Sequence, residues 1–493
     1  MKDLREVTSF GGIDADTDTL LEECFQDHQA YQETKSHQRF LVLGRKGSGK
    51  TAIFKKFSSM QDFQIFSYGH TFTDYPWHHH DKQAAIGVPE EERYVHSWRY
   101  LILITMAKIL LNKDQSRSRA AVEEMGRIEK FVVDSYGTRD PDVAQIFSPP
   151  KILRFPSFSA AGISLSIKEI SLTELPAVVQ EVNRNLSASI VSALNSDFNY
   201  YVCFDQLDLG FNPADDNYKK RLIGLILAAR DINVKAREAG KRFSALVFLR
   251  DDIYQALQFE DKNKVTEGFV TRIEWDTGRT HRTLKDLMQR RFATVLEIDP
   301  EKAWETVFDE TEKMSGRQTK YQHMLDRTFL RPRDMIKFCN ETLSAYRSGQ
   351  QKSEKISNRD LIAARKNYSD YFISELEDEI FKHMPNHEKY IEVLKSLDNL
   401  QFSRGDFDVA CSKRAKILPS NYDTSLILKE LFEFSLIAYY SSGGAGYGGS
   451  EYVWKYKDHR ARFNEAAGSF KIHPGLMEAL GLKKFARSGS IFS

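Results

Sequence analysis

The stretch Arg39–Phe54, which reads RFLVLGRKGSGKTAIF, decides the fold. It opens with a short apolar run typical of a strand that is buried on both faces, and it ends in a helical pattern. Between them, Gly44–Thr51 reads GRKGSGKT and matches the phosphate-binding pattern GxxxxGK[ST] at every fixed position. Strand, loop and helix therefore follow one another in the order that a phosphate-binding loop requires.

The residue types of this loop suit a phosphate ligand. Its glycines let the backbone curl so that N–H groups face phosphate oxygens, and the start of the following helix adds about half a positive charge. Lys50 is expected to reach the β- and γ-phosphates of a nucleotide, and the hydroxyl of Thr51 to bind Mg²⁺. The candidate phosphate-binding residues of the loop are Gly44, Gly47, Ser48, Gly49, Lys50 and Thr51.

A second stretch, YYVCFDQLD, supplies a candidate metal ligand. Asp205 directly follows the apolar run, where a carboxylate can hold Mg²⁺ through water; the alternative is an ordinary strand-end Asp that caps a turn. Many ATPases with such a phosphate-binding loop carry Glu directly after this Asp, and that Glu polarises the attacking water. Gln206 stands there instead, and an amide cannot accept a proton as a general base. We therefore expect Asp208 to serve, or Gln206 only to orient the water, with slow turnover.

Arg250 is a candidate sensor of the γ-phosphate. It ends the apolar run SALVFL, and the carboxyl ends of parallel strands form the ligand crevice of such sheets. The alternative is a surface arginine paired with Asp251 or Asp252. The guanine-reading pattern NKxD is absent, because 263–266 reads NKVT, and this favours ATP over GTP.

Two further arginines, Arg331 and Arg333, flank Pro332 in FLRPRDMI. Proline is common at the first position of a helix, so a helix is predicted to begin there. Such a helix could act as a lid that brings one of the arginines onto the phosphates. A solvated helix cap is the alternative.

Apolar runs alternate with long helical patterns up to about residue 298, which predicts βαβ crossovers and a parallel sheet. Predicted strands are 39–44, 64–69, 200–204, 244–249 and 271–275. The fold class is therefore α/β: a P-loop NTPase parallel sheet flanked by helices, followed by a helical lid and a C-terminal winged-helix domain. The predicted domains are 1–298 for the core, with an insertion at about 137–172 that contains a hairpin, 299–380 for the lid and 381–493 for the winged helix.

The ends of the chain carry two further expectations. Asp14–Tyr31 reads as a helix. Near the C-terminus, three helical stretches precede LIAYY and YVWKY, two predicted strands joined by the glycine-rich 441–450, which would form the wing. The presumed recognition helix, Thr424–Phe434, carries two glutamates and one lysine, and this favours a protein-contact or hinge role over DNA reading. Lys413, Arg414 and Lys416 just upstream could still contact a nucleic-acid backbone.

Composition limits the remaining function classes. Lys plus Arg number 70 and Asp plus Glu 69, so the chain lacks the global basic excess of a protein that coats nucleic acid. The four cysteines form no CxxC pair, which favours reduced, half-buried thiols over a zinc site or a disulfide framework. The longest apolar run, 100–111, has about half the ~20 residues of a membrane-spanning helix. We expect a soluble, cytoplasmic protein with no membrane contact.

The chain resembles bacterial P-loop ATPases of the AAA+/STAND assemblage, signal-transduction ATPases often found in phage-defence loci. The matching pieces span most of residues 9 to 340 and are FGGIDADTD, LGRKGSGKTAIF, CFDQLD, FLRDDIY and FLRPRDMIKFCN. The last piece followed by a winged helix also looks like origin-recognition ATPases. The resemblance implies that Lys50 and Thr51 bind phosphate and Mg²⁺, that Asp205 is the metal-binding acid, and that Arg250 is the sensor. It also implies that Phe10–Gly11 lie near adenine.

Three functions follow as hypotheses. The leading one is an ATP-binding switch with Mg²⁺-dependent, slow hydrolysis, in a bacterial defence or signalling system, acting through self-association or a separate effector protein. The second is an ATP-dependent DNA-binding protein of origin-recognition or transposition-helper type, with DNA bound through the winged helix. The third is a nucleotide-bound scaffold without turnover, which Gln206 favours.

Overall fold

The computed structural model describes residues 2–60, 62–72, 94–114, 119–147, 175–277, 282–349, 353–443 and 449–483, with side chains omitted for 119–120 and 175–178. Two compact units divide the chain. The sheet unit comprises Asp27–Arg45 and Gly49–Ile273. The C-terminal unit comprises Met1–Gln26, Lys46–Ser48 and Glu274–Ser493. The tip of the predicted phosphate-binding loop thus groups with the C-terminal unit, whereas its two ends group with the sheet unit.

A parallel sheet of five strands forms the core of the sheet unit. The strands are β1 (Leu41–Gly44), β2 (Ile65–Thr71), β3 (Asn199–Asp205), β4 (Arg242–Arg250) and β5 (Val270–Arg272), in the order β2-β3-β4-β1-β5. All four pairings between neighbours are parallel. Strands β1, β3 and β4 are buried along nearly their whole length, which explains their apolar sequences. Since β4 lies between β1 and β3, the carboxyl ends of all three strands meet at one edge.

Helices cover this sheet. In chain order they are α1 (Gln29–Lys35), α2 (Lys50–Ser58), α3 (Val95–Asn112), α4 (Arg119–Tyr136), α5 (Val143–Phe147), α6 (Leu175–Ala193), α7 (Asp216–Glu238), α8 (Asp251–Ala256) and α9 (Lys262–Phe269). The apolar run 100–111 lies in α3, which is buried on all sides and packs against α7. The two helices approach closely at Gly224, where a Cβ would lie 2.8 Å from the Cβ of Tyr94. No helix in the described ranges is long and apolar enough to cross a membrane.

The C-terminal unit is mainly helical before an antiparallel sheet. Its helices are α10 (Leu284–Leu296), α11 (Ala303–Val307), α12 (Lys320–Leu325), α13 (Pro332–Ser348), α14 (Asn358–Ile380), α15 (His387–Lys395), α16 (Arg404–Lys413) and α17 (Thr424–Glu433), with short 3-10 turns at Pro300–Lys302 and Pro474–Leu476. Its strands are β6 (Gln401–Ser403), β7 (Ile437–Ser441), β8 (Glu451–Val453) and β9 (Ser469–Ile472), in the order β6-β9-β7-β8. Thr283, Ser357 and Ser403 begin α10, α14 and α16 with capping boxes.

The predicted fold class is confirmed: a parallel sheet with helices, then a helical region, then a C-terminal domain with an antiparallel sheet. Helix α13 begins at Pro332 as expected. The predicted insertion lies largely outside the described residues, because its hairpin falls within 148–174; of the glycine-rich wing, 444–448 also fall outside them.

Two expectations were wrong, and two strands were not foreseen. Asp14–Tyr31 is not one helix: turns precede the short α1, since Asp14 and Asp18 accept hydrogen bonds from nearby backbone N–H groups and so compete with a helix. Strands β6 and β9 were missed, because three or four residues paired across some 70 positions carry no local signal. The four cysteines are buried rather than half-buried, and all are free thiols.

The side chain of Asn233, in α7, forms hydrogen bonds with the backbone of the central strand β4. Its side chain donates to Ala245 O at 3.1 Å and accepts from Ala245 N at 2.7 Å, two residues before β1 begins to pair with β4. Asn233→Ala leaves two buried backbone groups unpaired, and we expect it to cost about 2–4 kcal/mol of unfolding free energy.

Urea unfolding followed by circular dichroism measures this loss. The exposed Lys235→Ala on the same helix is the matched control, with an expected effect within about 0.5 kcal/mol. Equal effects of the two substitutions would contradict the role of the Asn233 side chain as the hydrogen-bond partner of the Ala245 backbone.

Candidate phosphate-binding site

The backbone of the loop between β1 and α2 is held by its carbonyl groups. Within the C-terminal unit, three consecutive carbonyls accept hydrogen bonds: Lys46 O from Arg331 Nη1 at 2.8 Å, Gly47 O from Arg333 N at 3.4 Å, and Ser48 O from Trp275 Nε1 at 3.0 Å. Within the sheet unit, the Lys50 ammonium donates to Gly44 O and Arg45 O, both at 3.0 Å. Five successive carbonyls of the loop are therefore engaged.

The orientation of these carbonyls fixes the orientation of the amides. In a trans peptide the N–H points opposite to the C=O of the preceding residue, so each bound carbonyl fixes the direction of the N–H that follows it. Gly47 and Gly49 have φ of +78° and +108°, left-handed values that a side chain would strain. At Gly47 a Cβ would also lie 2.9 Å from the Cβ of Arg333. The loop thus has the curled backbone that a phosphate site needs.

Lys50 lies half-buried at the start of α2 beside the carboxyl ends of the strands. Burial lowers the pKa of its ammonium, and the nearby carboxylates of Asp208 and Asp205 oppose that shift. A phosphate bound at the loop would supply further negative charge next to this cation and would favour its protonated form.

Asp205 ends β3 and is 2% exposed. Its carboxylate accepts hydrogen bonds from the Thr51 side chain and from the Gln206 backbone, yet burial raises its pKa from 3.8 to about 6. Its Oδ2 atom is buried and has no hydrogen-bond donor among the described residues. A buried carboxylate oxygen without a donor, next to a threonine hydroxyl, is a donor set that suits Mg²⁺. Thr51 and Asp205 therefore fit the metal that the sequence predicts.

Gln206 and Asp208 follow the strand in a turn. Gln206 adopts a left-handed conformation with φ of +62°, which is uncommon for a residue other than glycine, Asn or Asp. Asp208 has a side chain that is 34% exposed, and its Oδ2 lies 3.6 Å from Arg250 Nη1. Asp208 is thus the carboxylate that solvent can reach, whereas Asp205 is enclosed.

Arg250 ends β4 directly beside the loop, since it stands opposite Gly44 in the pairing of β4 with β1. Its guanidinium donates to both oxygens of Asp252, from Nε at 3.0 Å and from Nη2 at 2.7 Å. The pairing that the sequence offered as the alternative is therefore present with Asp252, while Asp251 pairs with Arg272. The Asp252 pair engages Nε and Nη2, and Nη1 is the nitrogen that lies nearest Asp208.

Arg331 lies in the C-terminal unit and is 1% exposed, so a solvated helix cap is the wrong description of it. Its Nε donates to Asp334 at 2.7 Å and its Nη1 to Glu379 at 3.1 Å, in addition to its bond with Lys46 O. Burial alone would lower the pKa of Arg331, but these two carboxylates more than reverse the shift and keep the guanidinium charged. Arg331 thus ties α13 and α14 to the tip of the loop.

Arg333 lies in the first turn of α13, in the same unit. Its Nη1 donates to Glu375 on α14 at 2.8 Å, and its Nη2 lies 3.7 Å from Asp14. Its Nε bonds Ile13 O at 3.3 Å. The stem of this side chain packs against Gly47, as the short distance to a Cβ at that position indicates. Both arginines are therefore held by carboxylates while they contact the loop tip.

Phe10 also belongs to the C-terminal unit. Its ring packs edge-on against Phe292 with centroids 4.5 Å apart, and its N–H donates to Asn340 Oδ1 at 2.8 Å. The Asn340 amide donates to Gly11 O at 2.9 Å. The segment is thus pinned to α10 and α13; the nearness to adenine that the resemblance implies stays a prediction.

The sheet unit brings together five of the sequence-predicted residues: Lys50, Thr51, Asp205, Asp208 and Arg250. Two residues that contact candidate residues were missed, one in each unit. Asp252 accepts both bonds of Arg250, the candidate sensor, but the sequence offered it only as one partner of a surface arginine. Trp275 was considered only as a strand residue, although a buried indole N–H must find an acceptor, and this requirement was the available signal.

Comparisons with known proteins give distant relatives. A family described as the FunZ-associated C-terminal helical domain matches residues 282–377. The chain is 25% identical over 415 residues to the "Putative transposon gamma-delta 80.3 kDa protein" of Escherichia coli strain K12, covering 79% of this chain and 54% of that protein. The chain therefore spans about half the length of this curated relative.

A solved structure, that of Cdc6p from Pyrobaculum aerophilum, aligns over 94% of this chain and 92% of its own at 12% identity, with a TM-score of 0.29. At that TM-score the two chains do not superpose as a whole. The helical region after the parallel sheet is thus matched by a described family, and most of the chain is similar to a transposon-encoded protein.

Asp205 gives the site a characteristic pH dependence. Because the folded state holds the carboxyl proton more tightly than the unfolded chain does, protonation of Asp205 stabilises the fold at low pH, and this contribution is lost as the pH rises through about 6. Asp205→Asn, neutral at every pH, should raise the melting temperature at about pH 8 without Mg²⁺ and change it little at about pH 4.5.

Thermal melting at the two pH values measures this difference. Asp197→Asn, an exposed aspartate before β3, is the control and should give the same small effect at both. A stabilisation by Asp205→Asn that is independent of pH would refute the raised pKa.

Proposed function

We propose that the chain is an ATP-binding molecular switch of AAA+/STAND type, with Mg²⁺-dependent and slow ATP hydrolysis. The observation that carries this proposal is the loop Gly44–Ser48, whose five carbonyls are all bound by donors, which fixes the directions of its amides. A triphosphate is the ligand that combines several acceptor oxygens with enough charge to match these amides and the ammonium of Lys50.

Mg²⁺ would be held by Thr51 and Asp205, and when bound it would neutralise charge on the phosphates. The chain's own contribution is the enclosed carboxylate of Asp205, which must lose its proton before it can bind the metal. Since burial raises the pKa of Asp205 to about 6, this proton is lost near neutral pH, and metal binding should weaken in mildly acidic buffer.

Slow hydrolysis is proposed from the residues after β3. Gln206 cannot take the proton of an attacking water, and it can only orient that water through its amide. Asp208 is a partly exposed carboxylate that interacts with Arg250. The carboxylate that could act on the water is thus already engaged by a cation, which supports turnover that is slow rather than rapid.

The switch itself is proposed to work through the loop. Lys46–Ser48 group with the C-terminal unit, and the loop ends group with the sheet unit. A nucleotide that tightens or relaxes the loop would therefore act on backbone that belongs to both units. In this proposal 1–298 is the ATPase core, 299–380 the lid and 381–493 the winged-helix domain. Arg250 would sense the γ-phosphate by leaving Asp252, while Arg331 and Arg333 would report the position of the loop tip.

A role in bacterial defence or signalling is the biological setting that we propose, from the resemblance of the sequence pieces to signal-transduction ATPases. The output would come from self-association or from a separate effector protein. A scaffold that binds nucleotide without turnover is the variant of this proposal that Gln206 supports. Phosphate release measured at saturating ATP separates the scaffold from the slow ATPase.

Lys50→Ala tests ATP binding directly. The substitution removes the ammonium beside the predicted phosphate position, and we expect calorimetry to show a loss of ATP affinity of at least about 100-fold. Lys56→Ala in the same helix is the matched control and should bind ATP like the unmodified chain. Unchanged ATP affinity in a folded Lys50→Ala protein would overturn the proposal.

DNA binding is a second candidate function. Lys413, Arg414 and Lys416 are exposed at the end of α16. The similarity to a transposon protein supports this candidate, since DNA is the material on which transposition acts. The acidic residues of α17 oppose it: Glu433 pairs with Lys455, and Glu430 lies nearby on the same helix. We therefore propose backbone contact by these cations, without base reading, as the form that this function would take.

Filter binding to duplex DNA at several salt concentrations tests this second function. Each phosphate contact contributes about 0.9 to the slope of log K against log salt. Replacing Lys413, Arg414 and Lys416 together by Gln should therefore reduce the slope by about 3.

The control for this test replaces three exposed lysines elsewhere in the C-terminal unit, namely Lys302, Lys313 and Lys366, by Gln. It should leave the slope unchanged. An affinity that does not depend on salt, or equal losses in both triple variants, would rule out the proposed contact.

A further inference from the structure

A cavity of about 900 Å³ opens at the edge of the parallel sheet opposite the phosphate-binding loop. Its lining includes Phe40, Asn199 and Arg242, which stand at the amino ends of β1, β3 and β4. A strand rises about 3.3 Å per residue, so Arg242 and Arg250 at the two ends of β4 lie about 26 Å apart. A ligand in this cavity is therefore separate from any nucleotide at the loop.

Positive charge dominates the lining of this cavity. Its cationic residues are Lys35, Arg39, Arg237, Lys241 and Arg242, and Glu267 is the single acidic residue among the described residues that line it. The carboxyl-terminal ends of α1, α7 and α9 also meet here, and each carries about half a negative charge. Together with Glu267 they offset about half of the five positive charges, and a clear positive excess remains.

The cations are held by neutral partners. Four of them donate to backbone carbonyls: Arg39 Nη1 to Glu267 O at 2.7 Å, Arg237 Nη2 to His37 O at 2.8 Å, Lys241 Nζ to Leu194 O at 2.6 Å and Arg242 Nη1 to Asp197 O at 3.4 Å. In the described part of the chain none of the five lining cations forms an ion pair. A guanidinium has five N–H donors, so one carbonyl leaves most of them for a ligand.

A strained histidine forms part of the lining. His37 has φ of +59°, a left-handed value that costs about 1–3 kcal/mol in a residue other than glycine. Its ring stacks on Tyr201 with centroids 4.9 Å apart, and its nitrogens bond Ser244 Oγ at 2.8 Å and Asn199 Oδ1 at 3.1 Å. Burial lowers the pKa of His37, so it is a neutral, fixed polar group at neutral pH. Ser244 and Asn199, both lining residues, are thereby oriented.

We propose that this cavity binds a small ligand with two or more phosphate groups, of nucleotide to dinucleotide size. The volume lies within the range of small-molecule sites, roughly 300–1,000 Å³. The cations converge on one concavity, which suits a compact anion, whereas a nucleic-acid backbone is bound by charges that follow a strand across a surface. Guanidinium groups bind phosphate with two parallel hydrogen bonds, and three of the five cations are arginines.

The test uses the full chain with Lys50→Ala, so that the loop does not contribute, and inorganic tripolyphosphate as the probe in calorimetry at low salt. We expect one binding event. Adding Lys35→Gln and Arg242→Gln should weaken it by at least about tenfold. These two side chains are exposed, and the Arg242 bond of 3.4 Å is the longest among the cations' bonds to backbone carbonyls, so the variant should fold; its melting temperature checks this.

The matched control adds Lys130→Gln and Lys264→Gln, two exposed lysines of the same unit outside the lining, and should leave the affinity unchanged. No tripolyphosphate binding, or equal weakening by both pairs, would overturn the proposal. Binding of a short single-stranded oligonucleotide that depends on Lys35 and Arg242, without binding of tripolyphosphate, would assign the cations to nucleic acid instead. In a variant that carries Lys35→Gln and Arg242→Gln but keeps Lys50, the ATP affinity reports on the phosphate-binding loop alone.

Discussion

The direction of five peptide groups is the constraint on which the candidate site depends. Bonds to the carbonyls of Gly44–Ser48 hold the loop and fix the direction of the amide that follows each carbonyl. A glycine-rich loop has many conformations, and selecting one of them costs conformational entropy. Here that cost is met by a lysine of the loop itself and by Arg331, Arg333 and Trp275 from distant sequence, so the loop is ordered before any ligand arrives.

Charge distribution separates the two edges of the parallel sheet. At the carboxyl edge, Lys50 and Arg250 lie among Asp205, Asp208 and Asp252, so each cation there has a carboxylate nearby. At the amino edge, the arginines Arg39 and Arg237 bond backbone carbonyls rather than carboxylates. The first edge suits a ligand that arrives with its own metal ion, and the second suits a bare anion.

Buried ion pairs carry the contacts of the loop tip in the C-terminal unit. Arg331 with Asp334 and Glu379 forms an enclosed triad, in which removal of one partner would leave an uncompensated charge. Such a triad specifies one arrangement sharply, because any shift of α13 against α14 would break bonds that water cannot replace. The precision of the loop tip therefore follows from electrostatics in a dry environment rather than from apolar packing alone.

The sequence by itself determined the parallel sheet, the loop, the helix that begins at Lys50, and the carboxylate that follows β3. These features are local: apolar runs, glycines at fixed spacing and strand-end polar residues specify backbone geometry over a few residues. Only the tertiary structure decided that Asp252 holds Arg250, that Trp275 and Arg331 bind the loop, and that β6 pairs with β9. Those contacts join residues far apart in the chain, and many side chains of the same type compete for each of them, so no local pattern encodes which pair forms.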